Sequence, residues 1–113
     1  MFKKIAIIGV GLIGGSIGLA CRRENLAREV VGVGRRHISL KKAKEKGAIN
    51  KGSLDLKSAV KGADLVIIAT PPDRVIDKIK QAIKASDPGT IIIDVNSTKE
   101  NIILSLIHIS EPT

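Results

Sequence analysis

Glycines 9, 11 and 14 follow directly on the apolar run of residues 3–8 and open a stretch of helical periodicity over residues 13–23. No other feature constrains the chain as strongly. The spacing G-x-G-x-x-G between a strand and a helix assigns a mechanical task to each glycine. Gly9 permits a tight turn out of the strand, Gly11 lets backbone approach a ligand with no Cβ in the way, and Gly14 lets the helix pack closely on the strand. The helix N-terminus, with Leu12 and Ile13 between the second and third glycines, then turns unpaired N–H groups and a partial positive charge outward. A dinucleotide diphosphate is the ligand that matches such a turn. The alternative is a glycine-rich turn that binds nothing.

The rest of the chain alternates strand-like and helical stretches, as βαβ units do. Residues 29–33 read as a second strand. Ser39 is placed to cap a helix over residues 40–46, which Gly47 closes, and residues 48–50 read as a short third strand. A helix follows around residues 56–61. The fourth strand, residues 64–70, is apolar through Leu65, Val66, Ile67, Ile68 and Ala69, which suits a strand covered on both faces. Pro71 and Pro72 break it, and residues 73–85 form a helix with Val75, Ile76, Ile79 and Ile83 on one side. In the first helix, Ile13, Ile17 and Ala20 are spaced to face the sheet. Asp87, Pro88 and Gly89 turn into a fifth strand, residues 90–95. The expected fold is α/β, a doubly wound parallel sheet incomplete at its C-terminal end. At 113 residues it has room for one core only.

Charge and composition exclude several function classes. The 19 basic residues against 11 acidic ones leave a net charge of +8, which invites a nucleic-acid reading. The lysines are, however, spread over helix faces, and Phe2 is the sole aromatic residue, so no stacking platform for bases exists. No apolar run approaches the roughly 20 residues needed to cross a bilayer, and no signal-peptide pattern precedes the first strand. A single cysteine, Cys21, excludes a disulfide framework. The expectation is a cytoplasmic protein that binds neither nucleic acid nor membrane.

The end of the second strand bears on cofactor choice. NAD-binding folds commonly place Asp or Glu there to accept from the ribose 2′-OH. Here the position is Gly34, followed by Arg35 and Arg36. With no carboxylate to repel a phosphate and two guanidiniums able to bind one, NADP fits better than NAD, which stays open as the second choice. Arg35 and Arg36 would otherwise be ordinary surface arginines, or stack on adenine without selecting the phosphate. Thr70 and Pro71 stand at the C-terminal end of the fourth strand, where backbone is placed to border a nicotinamide ribose; the prolines also end the strand, and the two readings are compatible. Ser97 is placed to reach a substrate; locally it also suits the N-cap of a following helix. His37, His108 and Cys21 have no partners at metal-ligand or nucleophile spacing, so no metal site is expected.

The string GVGLIGGSIGLA at residues 9–20, together with VVGVGRR, ADLVIIATPP and IIIDVNSTK, closely resembles the nucleotide-binding domain of the prephenate and arogenate dehydrogenases of tyrosine biosynthesis. The match runs from about residue 2 to residue 103, and Gly15 and Ser16 after the third glycine are its most specific part. The resemblance implies an oxidative decarboxylation with hydride transfer to a nicotinamide, on prephenate or arogenate as substrate. It also implies that Ser97, in the stretch from Asp94 to Lys99, lies beside the substrate and is the one active-site residue carried over. Asn96 departs mildly from the family, which often has glycine there.

In that family the catalytic histidine lies on a further segment beyond the serine, followed by a helical domain that forms a homodimer. Neither is in these 113 residues, and His108 is not that histidine. The expectation is therefore a cofactor-binding part with no dehydrogenase activity of its own. Residues 104–113, LSLIHISEPT, resemble a translated transposon-type sequencing adapter, giving a dinucleotide-binding domain over residues 1–103 and a non-native tail over residues 104–113. The other reading of the tail is an amphipathic helix using Ile102, Ile103, Leu106 and Ile107. Two rival functions remain: another Rossmann reductase of the β-hydroxyacid or imine type, and a non-catalytic dinucleotide-sensing module.

Overall fold

The computed structural model describes residues 1–95 and 108–109; Ser97 and its neighbours 96 and 98–99 lie outside them, as do residues 102–107. The chain runs β1 (Phe2–Ile8), α1 (Leu12–Arg23), β2 (Ala27–Val33), α2 (His37–Glu45), β3 (Lys51–Ser53), α3 (Leu56–Val60), β4 (Leu65–Ile68), a turn of 3-10 helix (Pro72–Arg74), α4 (Val75–Ala85), β5 (Ile91–Asp94) and β6 (His108–Ile109). The sheet order is β3-β2-β1-β4-β5-β6. The first five strands pair in parallel, with Ile5 beside both Val30 and Leu65, and Ile68 beside Asp94. Strand order reverses between β1 and β4, which leaves a crevice at their carboxyl ends.

Alternation along the central strands divides the core in two. Ala6, Ile8, Val33, Val66 and Ile68 face α3 and α4, where they meet Leu56, Val60, Val75 and Ala82. Ile5, Ile7, Val30 and Ile67 face the other way, onto Cys21, Leu40, Ala43 and Ile49. Both faces of the sheet are covered, so β4 is buried throughout and reads as a continuous apolar run. The doubly wound parallel sheet expected from the sequence is the fold observed. Beyond β5 the sheet continues with one antiparallel pair, Ile91 with Ile109 and Ile92 with His108. The sequence reading had no strand there. Unpaired backbone groups on the β5 edge offer a template that any extended segment can join.

Four local expectations need correction. The buried stripe of α1 is Gly14, Gly18 and Cys21; of the three residues expected to face the sheet, Ile17 packs against the core, Ala20 is half-buried and Ile13 is 52% exposed. Small residues win that face because the helix lies close: a Cβ on Gly18 would run into the carbonyl oxygen of Ala48. The third strand is Lys51–Ser53 rather than residues 48–50. Ala48 and Ile49 are apolar because they are buried beneath α1 and α2, and Asn50 precedes the ladder, its side chain accepting from Val30 N at 2.7 Å. Ser39 is the third residue of α2, not its cap; the helix starts at His37, with Arg36 at the N-cap position and no side-chain capping bond. On α4, Val75 and Ala82 are buried and Ile79 packs on the core, whereas Ile76 is 70% exposed, one position off the inward face.

Candidate functional site

The turn from β1 into α1 is held by backbone contacts that leave no space for side chains. Gly9 has φ +99°, in the left-handed region, and a Cβ there would stand 2.7 Å from the carbonyl oxygen of Ala69. Its N–H donates to Val33 O at 2.8 Å, while Ala69 N donates to Ile8 O at 2.7 Å. The ends of β1, β2 and β4 are thereby tied together. Gly14 in turn packs on Gly9, whose carbonyl oxygen occupies the place a Cβ would need.

Gly11 differs. Nothing lies within 4 Å of the position its Cβ would take. It is the N-cap of α1, brings no side-chain capping bond, and no acidic residue follows in the first turn. The N–H groups of that turn have no intrahelical acceptor.

A cavity of about 710 Å³ opens at this edge, at the reversal in strand order. Gly9, Val10 and Gly11 form one side. Gly34, Arg35 and Arg36 reach it from the end of β2, with Ser39 behind them on α2. Thr70 and Pro71 border it from the end of β4, and the start of α3 contributes Leu54, Asp55 and Lys57. Seven of the residues singled out from the sequence thus share one cavity: Gly9, Gly11, Gly34, Arg35, Arg36, Thr70 and Pro71. Three do not line it. Leu12, 90% exposed, and Ile13 stand on the outer side of the first helical turn, and Gly14 is buried against Gly9.

Gly34 has a packing role as well as a place on the rim. Its N–H donates to Ser53 O at 3.2 Å, and a Cβ would stand 3.1 Å from Leu40 Cδ2. The absence of a carboxylate at this position therefore also serves the close approach of α2. Among the described residues the cavity has one acidic side chain, Asp55, which caps α3 by accepting from Lys57 N at 3.3 Å.

Sequence reasoning passed over Ser39, Lys57, Arg74, Lys78 and Gln81, all of which line the cavity. In sequence Ser39 reads as a cap and Lys57 and Lys78 as solvated helix charges, while Arg74 and Gln81 carry no reading. The signal present in the sequence was the spacing of Arg74, Lys78 and Gln81, four and three residues apart, which places them on one helix face.

The residues present fit a dinucleotide. Gly11 leaves open space where a phosphate must approach backbone, the first turn of α1 offers free donors, and the cavity beside it is cation-rich. Cys21, by contrast, takes no part: it is buried between α1 and the sheet, and burial pushes its thiol pKa up. Among the described residues no three His, Cys, Asp or Glu side chains gather to hold a metal ion, and no helix is long and apolar enough to cross a membrane.

Comparison with known proteins agrees with this geometry. The prephenate dehydrogenase of Lactococcus lactis subsp. cremoris (strain MG1363) is 34% identical over 102 residues, covering 89% of this chain. That of Bacillus subtilis (strain 168) is 32% identical over 104 residues, covering 91%. The chain spans 28% of the length of each. The crystal structure of Synechocystis arogenate dehydrogenase superposes with a TM-score of 0.78 at 29% identity, over 88% of this chain and 34% of that one. The resemblance carried by GVGLIGGSIGLA and the strings that follow it is borne out by these relatives. Residues 4–98 match the model of the family described as NADP oxidoreductase, coenzyme F420-dependent, and the chain, a Rossmann dinucleotide-binding domain, belongs to that family.

Proposed function

We propose that this chain is the cofactor-binding part of an NADP-dependent prephenate or arogenate dehydrogenase. The observation that carries the cofactor choice is the convergence of Gly34, Arg35, Arg36 and Ser39 on the cavity beside Gly11, with no carboxylate at the end of β2. A ribose 2′-phosphate there meets guanidinium and hydroxyl donors, and the cavity's one acidic side chain among the described residues, Asp55, is engaged at the N-cap of α3. The diphosphate is assigned to Gly11 and the first turn of α1, and the nicotinamide ribose to the backbone at Thr70 and Pro71. Bound NADP supplies the acceptor for the substrate's hydride.

The substrate assignment follows the two relatives, both prephenate dehydrogenases, rather than a β-hydroxyacid or imine reductase. Ser97 is assigned to the substrate side. The register of β5 supports this, since Asp94 pairs beside Ile68 and the chain leaves the sheet at the edge where Thr70 stands. The parent enzyme is assigned a cytoplasmic location and a homodimer formed through a further domain. Oxidation of a substrate needs it held against the cofactor, so the 113 residues alone are expected to bind NADP and to turn over no prephenate. The tail over residues 104–113 is assigned as non-native, and deleting it is expected to leave NADP binding unchanged.

Calorimetric titration of the purified chain with NADP and NAD in parallel tests the reading. NADP is expected to bind at least about tenfold tighter, a preference lost when Arg35 and Arg36 are both replaced by alanine. Equal or tighter binding of NAD refutes the arginine argument. Turnover of prephenate with NADP above background refutes the division of labour between this part and the rest of the enzyme.

A further inference from the structure

Helix α4 and its N-cap residue Arg74 distribute their charges unevenly. Lys80 and Lys84 are exposed, whereas Arg74, Lys78 and Gln81 are half-buried along the wall of the cavity opposite the β2–α2 loop. Gln81 is engaged with Asp77, its Nε2 donating to Oδ2 at 2.6 Å. Arg74 and Lys78 have no carboxylate within 4.0 Å among the described residues, where the ion pairs are Arg23 with Glu24 and Lys51 with Glu29. Two cations are thus held partly out of water, without a counter-ion, facing the cavity that Arg35 and Arg36 border from the other side.

Like charges around one cavity repel, and an anion that accepts from two sides neutralises them. The diphosphate has its own donors at the first turn of α1, where Gly11 leaves space for it. In NADP the remaining anion is the 2′-phosphomonoester, which at neutral pH carries close to two charges and three acceptor oxygens.

We propose that Arg74 and Lys78 form the second arm of a clamp that closes on the adenosine ribose 2′-phosphate opposite Arg35 and Arg36, so that α4 sets the choice of NADP over NAD. The proposal rests on the NADP reading above and deepens it. Ordinary selection at the end of β2 needs only the loop; here the discriminating charge comes from two elements whose cations are about 40 residues apart in sequence and meet only through the β1–β4 reversal.

The test is calorimetry on the full chain with NADP, NAD and adenosine 2′,5′-bisphosphate. Replacing Arg74 and Lys78 together by glutamine keeps much of their apolar length and removes their charge. It is expected to weaken NADP and the bisphosphate at least about tenfold and NAD less than about threefold. Replacing Lys80 and Lys84 by glutamine removes the same net charge and is expected to change neither by more than about twofold. The exchange of Arg74→Lys with Lys78→Arg keeps the charges and is expected to retain the preference. An unsubstituted chain that does not prefer NADP overturns the NADP reading and the clamp with it. A chain that prefers NADP and keeps that preference in the Arg74→Gln, Lys78→Gln variant overturns the clamp alone. So does equal weakening of NADP and NAD, which assigns α4 to the diphosphate, or an equal effect of the Lys80 and Lys84 replacements, which reduces it to overall charge. Urea unfolding midpoints of all variants check that each remains folded.

Discussion

The carbonyl oxygen of Gly9 occupies the place where a Cβ on Gly14 would stand, so helix α1 sits on the end of strand β1 with no side chain between them. Alanine at residue 14 therefore has to push the helix off the strand. Overpacking of this kind costs roughly 1–3 kcal/mol. Gly14→Ala is expected to lower the unfolding free energy by that amount, read as a lower urea midpoint with an unchanged slope. A midpoint equal to that of the unsubstituted chain would show that α1 shifts freely.

Gly11 separates binding from folding. Its φ of −71° suits any residue, and its Cβ would enter open space. Gly11→Ala is expected to change stability by no more than about 0.5 kcal/mol, as for an ordinary exposed site. The same methyl group would stand where the diphosphate approaches backbone, and dinucleotide affinity is expected to fall by about tenfold or more. Calorimetry and urea unfolding of one variant read both quantities.

A carboxylate at the end of β2 should reverse the cofactor preference. Gly34→Asp places a negative charge on the cavity rim beside Arg35 and Arg36, repels a 2′-phosphate, and offers an acceptor to a free 2′-OH. NADP binding is expected to weaken by about tenfold or more while NAD holds or improves. The new Cβ has to displace Leu40 by a few tenths of an ångström from a 3.1 Å approach, at a cost near the low end of about 1–3 kcal/mol. NADP affinity equal to that of the unsubstituted chain would remove the β2 end from the site.

Cys21 should behave as an apolar core residue. It is 5% exposed, and desolvation by burial raises its pKa above the ordinary thiol value of 9.0. Above that value the unfolded chain ionises first and releases a proton that the folded chain retains, so stability falls as pH rises past 9.0 and is unaffected by this group below it. A thiol reagent at pH 8 is expected to label Cys21 only at the rate of opening, and rapidly in denaturant. Prompt labelling of the folded chain would contradict the packing of α1.

Most of the element order could be read from periodicity. The buried run Leu65–Ile68 and the glycines after β1 each report a local rule, two-face burial and a tight turn, which neighbouring residues enforce. The misreadings arose where tertiary packing decides. Ala48 and Ile49 look like strand residues because they are apolar, yet they are apolar because α1 and α2 lie over them. Ile13 and Ile76 carry the right residue type at nearly the right spacing, but close approach of α1 through Gly14 and Gly18 turns a different face inward, and α4 is rotated by one position.

The amino-acid sequence alone determined the class of fold, the glycine turn with its free donors and the missing carboxylate after β2. Each depends on residues within a few positions of one another, where sterics and hydrogen-bonding capacity act locally. Only the tertiary structure decided which cations belong to the site. A spacing of four puts Arg74 and Lys78 on one helix face and Lys80 and Lys84 on another, and the sequence does not say which face meets the site. What separates them is the reversal of strand order between β1 and β4, which opens a cavity beneath one face of α4 and leaves the other face in water.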